Sequence, residues 1–367
     1  MMQLSSLDYW LARLNYRCFK WLCGAGDIES SWLASKTEHL DVSQPIYIAG
    51  LARSGSTLLL ELLSQHPQLA THQYADFPFI ATPCLWASLR ARLGKSSLPE
   101  APRERAHQDG ISVTSHSPES MEEPIWQGWF PHLHRGDRVE LLEEQVVNEG
   151  FEKFYRQHLK KILFLRGGQR YLAKNNYLLS RLGCVLRVFP EAKIIVPIRH
   201  PIAHVQSLVH QHRLFTCYAE TDARIPAYME AAGHYEFGPQ RRPIVIDLDS
   251  AARTTQHWKE GNHHLGYALQ WASVYGELHR FLEHSPHHRI KICIVPYEQF
   301  CSAPVEGFQT LLSHCQLDRF DADLSQVRGV GRSTVEDARL QQQIWDATEG
   351  VARQFGYLNI RDANSAE

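Results

Sequence analysis

The residues best suited to chemistry are the eight at positions 50–57, GLARSGST, where an apolar run meets a helical pattern. They fit the phosphate-loop pattern G-x-x-x-x-G-K-[ST] at every fixed position except the lysine, which is replaced by Ser56. A turn of this kind points backbone N–H groups at a ligand, and the following helix adds its positive end, so the stretch predicts an anion site. Its cation is Arg53. The missing lysine argues against an ordinary ATPase or GTPase.

Two further cations follow strand-like runs. Lys174 follows RYLA near the end of RYLAKN at 170–175, and Arg199 directly follows KIIVPI at 193–198. Strands that alternate with helices predict an α/β fold, a mainly parallel sheet with helices on both faces. Because ligands bind at the carboxyl ends of such strands, we expect Arg53, Lys174 and Arg199 to face one crevice and a ligand with several anionic groups.

The sequence offers fewer candidates for a proton-accepting base than for cationic ligand-binding groups. Asp76 is the only carboxylate between Glu61 and Glu100, although a cap or turn role suits it equally. Glu122 and Glu123 lie in an aromatic cluster that either lines a pocket or forms a packed lid or helix start. The aromatic members of that cluster are Trp126, Trp129 and Phe130.

Metal sites are not predicted. Of the close histidine pairs among the 21 histidines, only His200 and His204 have the i, i+4 spacing of two ligands on one helix face, and no third ligand is evident. The run IVIDLD predicts a short strand that ends in Asp247 and Asp249, the one place for a magnesium-binding aspartate of the NTPase type. No G-x-S-x-G nucleophile motif occurs.

Composition limits the remaining options. The 367 residues are 44% hydrophobic and carry a formal net charge of −2, so nothing global suggests nucleic-acid binding. Eight cysteines without a C-x-x-C pair indicate free thiols and a cytoplasmic protein. The N-terminal stretch predicts an amphipathic helix, docked on the domain or lying on a membrane surface.

These patterns predict three segments. Residues 1–40 form the N-terminal amphipathic helix, residues 41–335 form a phosphate-loop-type α/β domain, and residues 336–367 form a helical tail. Irregular stretches at 85–170 and 214–260 are predicted insertions that cover an acceptor site. Inside the first insertion, apolar spacing predicts a helix over 139–165, broken near Gly150.

The stretch ARSGSTLLLELLSQHP resembles the 5′-phosphosulfate loop of sulfotransferases, particularly the branch of tyrosylprotein sulfotransferases and related bacterial enzymes. LAKNNYLLSRLGCVLRVFPEAKIIVPIRHPIAHVQS is similar to the family's lysine strand, helix and 3′-phosphate segment, in which a serine, here Ser207, lies eight residues after an arginine, here Arg199. IVPYEQFCSAP and GRSTV resemble later family segments. The departures are Ala52 for proline, His200 for aspartate and Tyr74 for the branch's catalytic glutamate.

The resemblance implies sulfuryl transfer from 3′-phosphoadenosine 5′-phosphosulfate (PAPS), without a metal, to a hydroxyl or amine of a small molecule or peptide. Arg53 and Lys174 would stabilise the departing phosphate, and Arg199 and Ser207 would hold the 3′-phosphate. Asp76 is the first candidate for the base, with His72 and Glu123 behind it. The other expected donor contacts are Ser54, Gly55, Ser56, Thr57 and Ser333.

Two alternatives remain at this stage. A small-molecule kinase or NTPase would use Asp247 or Asp249 for Mg²⁺, but the loop lacks its lysine. A non-catalytic nucleotide-binding protein would need no base. A preference for ATP with Mg²⁺ over the phosphosulfate donor would identify the first.

Overall fold

The computed structural model describes residues 4–93, 102–134, 136–328 and 337–359. Its strands are β1 Ile46–Ala49, β2 Leu69–Ala70, β3 Arg103–Glu104, β4 Ser112–Val113, β5 Arg170–Asn175, β6 Lys193–Ile198 and β7 Ile292–Pro296. Its helices are α1 Ser6–Trp32, α2 Ala34–Thr37, α3 Ser56–Leu63, α4 Pro83–Leu93, α5 Glu123–Trp129, α6 Glu149–Arg166, α7 Leu182–Val188, α8 Pro201–Thr221, α9 Ile225–Ala232, α10 Leu248–Lys259, α11 His263–His284, α12 Pro286–Arg289, α13 Tyr297–Ser302, α14 Pro304–Cys315 and α15 Ala338–Gln354.

Five strands form one parallel sheet in the order β2-β5-β1-β6-β7, with β1 at its centre. Successive side chains of a strand point to opposite faces. Accordingly Ile46 and Ile48 join an apolar core with α3 and α14, whereas Tyr47 and Ala49 join the larger core on the other face. The predicted α/β class, with helices on both faces of a mainly parallel sheet, is confirmed. The carboxyl ends of β1, β5 and β6 therefore lie side by side.

The predicted strands RYLAKN and KIIVPI are present with the predicted bounds as β5 and β6. Pro201 is the first residue of α8, as expected for a residue that lacks a backbone N–H and has a fixed φ.

The insertions differ from the sequence prediction. The helix predicted over 139–165 begins only at Glu149, because the Asn148 side chain accepts the Phe151 N–H and caps the helix there. IVIDLD is not a strand. Ile244 makes one isolated bridge to Val139, and Asp247 caps α10 by accepting the Ser250 N–H at 2.7 Å. Residues 214–260, expected to be irregular, contain the end of α8 and all of α9 and α10.

Helices at both ends of the chain pack on the central domain. On α15, Ile344 and Trp345 are buried in the larger core, and the Tyr357 hydroxyl beyond it donates to the carbonyl of Ile198 at 2.6 Å. The N-terminal helix α1 also buries one face, including Phe19. Among the described residues, no helix combines the length and apolar character needed to cross a membrane.

Candidate active site

The loop between β1 and α3 has a backbone that few sequences can adopt. Gly55 has a φ of 103°, and a Cβ at this position would lie 2.3 Å from the Tyr297 ring. Glycine is therefore required both by the left-handed backbone and by the close packing of the aromatic ring. The backbone of Arg53 also adopts a left-handed conformation, with a φ of 73°. For a residue with a side chain this conformation costs about 1 kcal/mol, which the surrounding contacts must offset.

Helix α8 supplies contacts that hold the loop. The His204 Nε2–H donates to the Ala52 carbonyl at 2.8 Å, and burial lowers the pKa of His204 to about 3. His204 is thus a neutral donor that fixes the residue before Arg53. One turn further along α8, the Ser207 hydroxyl accepts a hydrogen bond from Arg53 Nε at 3.1 Å. The pair His200 and His204 therefore does not form a metal site, since His200 Nε2 bonds instead to the Leu358 carbonyl.

A cavity of about 390 Å³ opens in front of this loop, a volume within the range of small-molecule sites. Among the described residues that line it, four are arginines and one is an aspartate. The lining consists of Arg53, Gly55, Ser56, Thr57, Leu58, Arg105, Asp109, Gly110, Ile111, Ser112, Arg199, Tyr297, Ser325, Gln326 and Arg328. This excess of guanidinium groups suits a ligand with more than one anionic group.

Sequence reasoning missed Arg105 and Asp109, which lie on the short hairpin formed by β3 and β4. Asp109 accepts from Arg53 at 2.6 Å and from Arg105 Nε at 2.9 Å. Burial alone would raise the pKa of Asp109, but the Arg105 and Arg53 guanidinium groups hold it well below its usual range. Neither residue had a sequence signal, because the stretch around them has no helical or strand periodicity.

Lys174 reaches the loop from the end of β5. Its ammonium donates to Thr57 Oγ1 at 2.9 Å and pairs with Glu119 Oε1 at 3.3 Å. Burial would raise the pKa of Glu119, yet Lys174 and then Arg105 lower it to about 2, so Glu119 is an anion that balances these cations. The structure thus brings Lys174 and Arg53 to the same loop.

Arg199 lies at the carboxyl end of β6 and lines the cavity, with its guanidinium carbon 5.3 Å from the centre of the Tyr297 ring. Its Nε is buried and has no hydrogen-bond partner within the described part of the chain. A buried guanidinium N–H without a partner is costly, which is the expected state of a group that pairs with a ligand. The cation-π contact with Tyr297 holds the side chain in place.

Glu61 lies one helical turn beyond Thr57 on α3. Burial raises its pKa to about 7, with smaller opposing effects from Arg105 and Lys174, and its Oε2 is buried without a hydrogen-bond partner among the described residues. Unlike Glu119, Glu61 forms no ion pair with a described residue. Burial thus favours its protonated form.

The predicted base candidates lie away from the cavity. Asp76 is buried, and its two oxygens contact His72 Nδ1 at 3.0 Å and Arg166 NH2 at 2.5 Å. His72 is buried between Asp76 and a second histidine. Glu123 is buried in an ion pair with Arg181 at 2.9 Å. These three groups are enclosed, paired and not part of the cavity lining, and the assignment of the base stays a prediction.

The aromatic cluster near Glu122 is a packed core and not a pocket wall. Trp126 and Phe130 are buried, and Glu122 accepts from the Tyr171 hydroxyl at 2.8 Å. Of the two structural roles left open by the sequence, helix start is the observed one, since α5 begins at Glu123.

His234 is a more accessible titratable group near Lys174. A third of its side chain is exposed, and its Nδ1 lies 3.4 Å from Glu236 Oε2. Asn176, two residues after Lys174, donates to Glu236 Oε1 at 2.5 Å and ties this pair to the end of β5. Burial would lower the pKa of His234, but Glu236 and, more weakly, Glu119 raise it, with Lys174 opposing.

The remaining predicted positions lie as follows. Ser54 is fully buried under the loop, whereas Gly55, Ser56 and Thr57 line the cavity. Ser333 lies outside the described residues. Asp249 is exposed and lies 4.0 Å from Arg253. Within the described ranges no group of three or more His, Cys, Asp or Glu residues could hold a metal ion.

Comparison with known proteins links this geometry to one family. A family model described as "Sulfotransferase family" matches residues 45–237, just over half of the chain. A search of the curated proteins finds no match.

Among solved structures, sulfotransferase STF9 from Mycobacterium avium matches with a TM-score of 0.51 at 12% identity, covering 89% of this chain and 80% of that one. Sulfotransferase STF1 from Mycobacterium tuberculosis matches with a TM-score of 0.46 at 15% identity, over 88% and 81% of the two chains. The similarity to STF9 supports the fold.

Proposed function

Because the chain belongs to the sulfotransferase family, we propose that it transfers a sulfuryl group from PAPS to a hydroxyl or amine of a small-molecule or peptide acceptor. The observation that carries this proposal is the cavity itself, which is lined by the loop and four arginines and whose lining residue Thr57 accepts a hydrogen bond from Lys174. A donor with phosphosulfate at one end and a phosphate at the other matches this distribution of charge.

The loop and its two cations act on the 5′ end of the donor. As the acceptor oxygen or nitrogen bonds to sulfur, the bond between sulfur and the 5′-phosphate oxygen breaks, and negative charge grows on that oxygen. Arg53 and Lys174 stabilise this charge, together with the N–H groups of Gly55, Ser56 and Thr57. Because the loop conformation already holds these donors in position, they need little reorganisation when charge develops in the transition state. The strained loop therefore favours catalysis.

Arg199 binds the 3′-phosphate, which ATP lacks. Its Nε, which has no hydrogen-bond partner in the part of the chain that the structure describes, and its position at the end of β6 support this assignment. Arg328 on the cavity wall adds a second cation. Ser207 contributes to donor binding by positioning Arg53, whose Nε donates a hydrogen bond to the Ser207 hydroxyl. Ser333, outside the described residues, stays a predicted donor contact.

We propose that His234, which lies near Lys174 and is not itself part of the cavity lining, takes the acceptor proton. Glu236 accepts from Nδ1–H and leaves Nε2 free as a base, while Asn176 orients Glu236 beside Lys174. A pKa above the usual 6.5 means that kcat rises with pH through that higher value, since the neutral imidazole is the active form. His234→Gln should abolish this limb of the pH profile, and His284→Gln, an exposed histidine of α11, should preserve it.

The kinase alternative has less support. Asp247 and Asp249 belong to the start of α10, where one caps the helix and the other is exposed, and neither lines the cavity. The non-catalytic alternative predicts donor binding without transfer. The thiols of all eight cysteines are free, which fits the cytoplasmic location that we also propose.

Transfer is tested with the full chain, PAPS labelled in the sulfuryl group, EDTA, and fractionated cell extract as a source of acceptors. We expect label in an acceptor whose mass has increased by one sulfuryl group, and no such product from Arg53→Ala. Tight donor binding with no labelled product in any fraction would favour the non-catalytic alternative.

A further inference from the structure

The N-terminal helix α1 exposes an unusual number of large apolar side chains, which we call the tryptophan face. Its members are between 51% and 83% exposed: Leu7, Trp10, Leu14, Trp21, Ile28 and Trp32. Contiguous apolar surfaces of this kind mark interaction sites in proteins that otherwise bury such residues.

The spacing of these residues produces one continuous stripe. Trp10, Trp21 and Trp32 recur every eleven residues, close to three turns of an α-helix, and so follow a line nearly parallel to the axis. At 1.5 Å per residue the stripe is about 33 Å long from Trp10 to Trp32. The opposite face of α1, with Phe19 and Cys23, is buried in the core.

Ion pairs fix the orientation of α1. Arg13 pairs with Glu230 of α9 at 3.0 Å, and the buried Glu29 pairs with Lys161 of α6 at 3.0 Å. Lys161 also donates to the Gly26 carbonyl at 3.1 Å. Breaking a buried pair of this kind is costly, and α1 consequently does not turn its tryptophan face inward.

The composition of the face distinguishes between possible partners. Arg17 is exposed beside the tryptophan face, and Lys20 is exposed on the flank of α1, both between Trp10 and Trp21 in the sequence. An indole has an apolar body and an N–H that requires a partner, so tryptophan favours the wet boundary of a bilayer over a dry helix seam. Arginine and lysine beside it extend towards lipid phosphates.

The apolar surface also continues beyond α1. Leu85 and Leu89 of α4 are 41% and 48% exposed, and the Leu85 N–H donates to Glu29 at 2.5 Å, so α4 lies beside the second half of α1. A single partner helix covers one stripe, whereas a planar surface contacts two neighbouring helices. The arrangement therefore fits a membrane better than a second copy of α1.

We propose that the tryptophan face binds the surface of a membrane that contains anionic lipids, with α1 lying in the plane of the interface. This inference is independent of the proposed sulfuryl transfer. The indoles enter the headgroup region, and Arg17 and Lys20 contact lipid phosphates.

The test is flotation of the full chain with vesicles of phosphatidylcholine alone or mixed with phosphatidylglycerol. We expect binding to the mixed vesicles, weakened about tenfold by Trp10→Ser/Trp21→Ser/Trp32→Ser and weakened by added salt. A matched control removes three exposed apolar side chains elsewhere and should bind like the wild type: Leu248→Ser/Ile290→Ser/Val305→Ser. Thermal melting verifies that both variants are folded.

Failure of the wild type to float with mixed vesicles at low salt would overturn the proposal, as would equal binding by the tryptophan variant. Light scattering distinguishes the other partner. A wild-type dimer that the tryptophan variant converts to a monomer, without vesicle binding by either, would show that the face joins two copies of the chain.

Discussion

Two regions of the molecule use charge differently. At the ends of β1, β5 and β6, which we propose hold the donor and call the donor side, Arg53 and Arg199 line an open cavity, and Arg199 Nε has no hydrogen-bond partner among the described residues. Around α5 and α6, a region that the sequence predicts to cover an acceptor and that we call the acceptor side, Asp76 and Glu123 are buried in ion pairs with Arg166 and Arg181. The arginines that line the cavity are available to pair with a ligand. The enclosed ion pairs instead attach the predicted insertion at 85–170 to the rest of the domain.

This difference predicts that substitutions separate into two classes. Removing a donor-side cation should change binding or turnover and leave stability nearly intact. Removing an acceptor-side partner should chiefly lower stability, because an ion is left buried without compensation.

The largest effect is expected for Arg53→Ala. Loss of a charge-stabilising donor at the departing phosphate should lower kcat by about 10³-fold, with affinity for 3′-phosphoadenosine 5′-phosphate reduced much less. Steady-state kinetics with the acceptor, combined with calorimetric titration, measures both quantities. Arg253→Ala, which removes an exposed arginine of α10, is the matched control. A loss of affinity with kcat unchanged would assign Arg53 to binding alone.

Arg181→Ala should be the most destabilising change on the acceptor side. Arg181 is fully buried beside Glu123, so its loss should lower the free energy of unfolding by about 3–5 kcal/mol. The exposed pair Arg353 and Glu349 supplies the comparison, since Arg353→Ala should cost less than about 1 kcal/mol. Urea denaturation of the three proteins measures the difference. Similar losses of unfolding free energy for the two variants would contradict the stabilising role assigned to the buried pair.

Arg199→Ala should weaken binding of 3′-phosphoadenosine 5′-phosphate by about 30-fold, as expected for the loss of a charged hydrogen-bonding partner. Binding of 5′-AMP, which has no 3′-phosphate, is the internal control and should hardly change. Equal losses for the two nucleotides would mean that Arg199 does not contact the 3′-phosphate.

Asp109→Asn should have a smaller effect in the opposite direction. The Asp109 carboxylate pairs with Arg53 and Arg105 where an anionic ligand would compete, so removing its charge should tighten donor binding about fivefold. Asp249→Asn, at an exposed position, serves as the control. Weaker binding would show that Asp109 positions the arginines and does not compete with the donor.

The smallest effect is a pH dependence of stability at Glu61. Its folded-state pKa, about 7, exceeds the unfolded value of about 4.5, so native stability falls as pH rises between these values. Glu61→Gln should therefore be more stable than the wild type by about 1 kcal/mol at pH 8, allowing for solvent screening, and no more stable at pH 4. Denaturation at both pH values measures this, and a pH-independent difference would contradict it.

The same contrast explains what the sequence could predict. Arg53 and Arg199 follow strands and Lys174 lies near the end of β5, and parallel strands place their carboxyl ends together, so local patterns were sufficient to predict that these cations lie close together. Their roles towards a donor stay predictions. The partners of Asp76 and Glu123 are far away in the chain, and no local pattern reveals that Arg166 would pair with Asp76.

Other residues near the site lie in stretches whose sequence shows neither helical nor strand periodicity. Arg105 and Asp109 lie on a hairpin whose strands, β3 and β4, have only two residues each, inside an otherwise irregular stretch. His234 and Glu236 follow α9 in a segment expected to be an irregular cover. Their placement depends on long-range contacts such as that between Asn176 and Glu236, which no spacing rule encodes.

The most direct test of the account is calorimetric titration of the full chain with 3′-phosphoadenosine 5′-phosphate in EDTA, compared with 5′-AMP in EDTA and with ATP in the presence of Mg²⁺. The donor-side geometry predicts that the bisphosphate binds at least about tenfold more tightly than either competitor, because only it carries the 3′-phosphate that Arg199 is expected to bind. Tighter binding of ATP with Mg²⁺ would contradict the assignment of the cavity to a phosphosulfate donor.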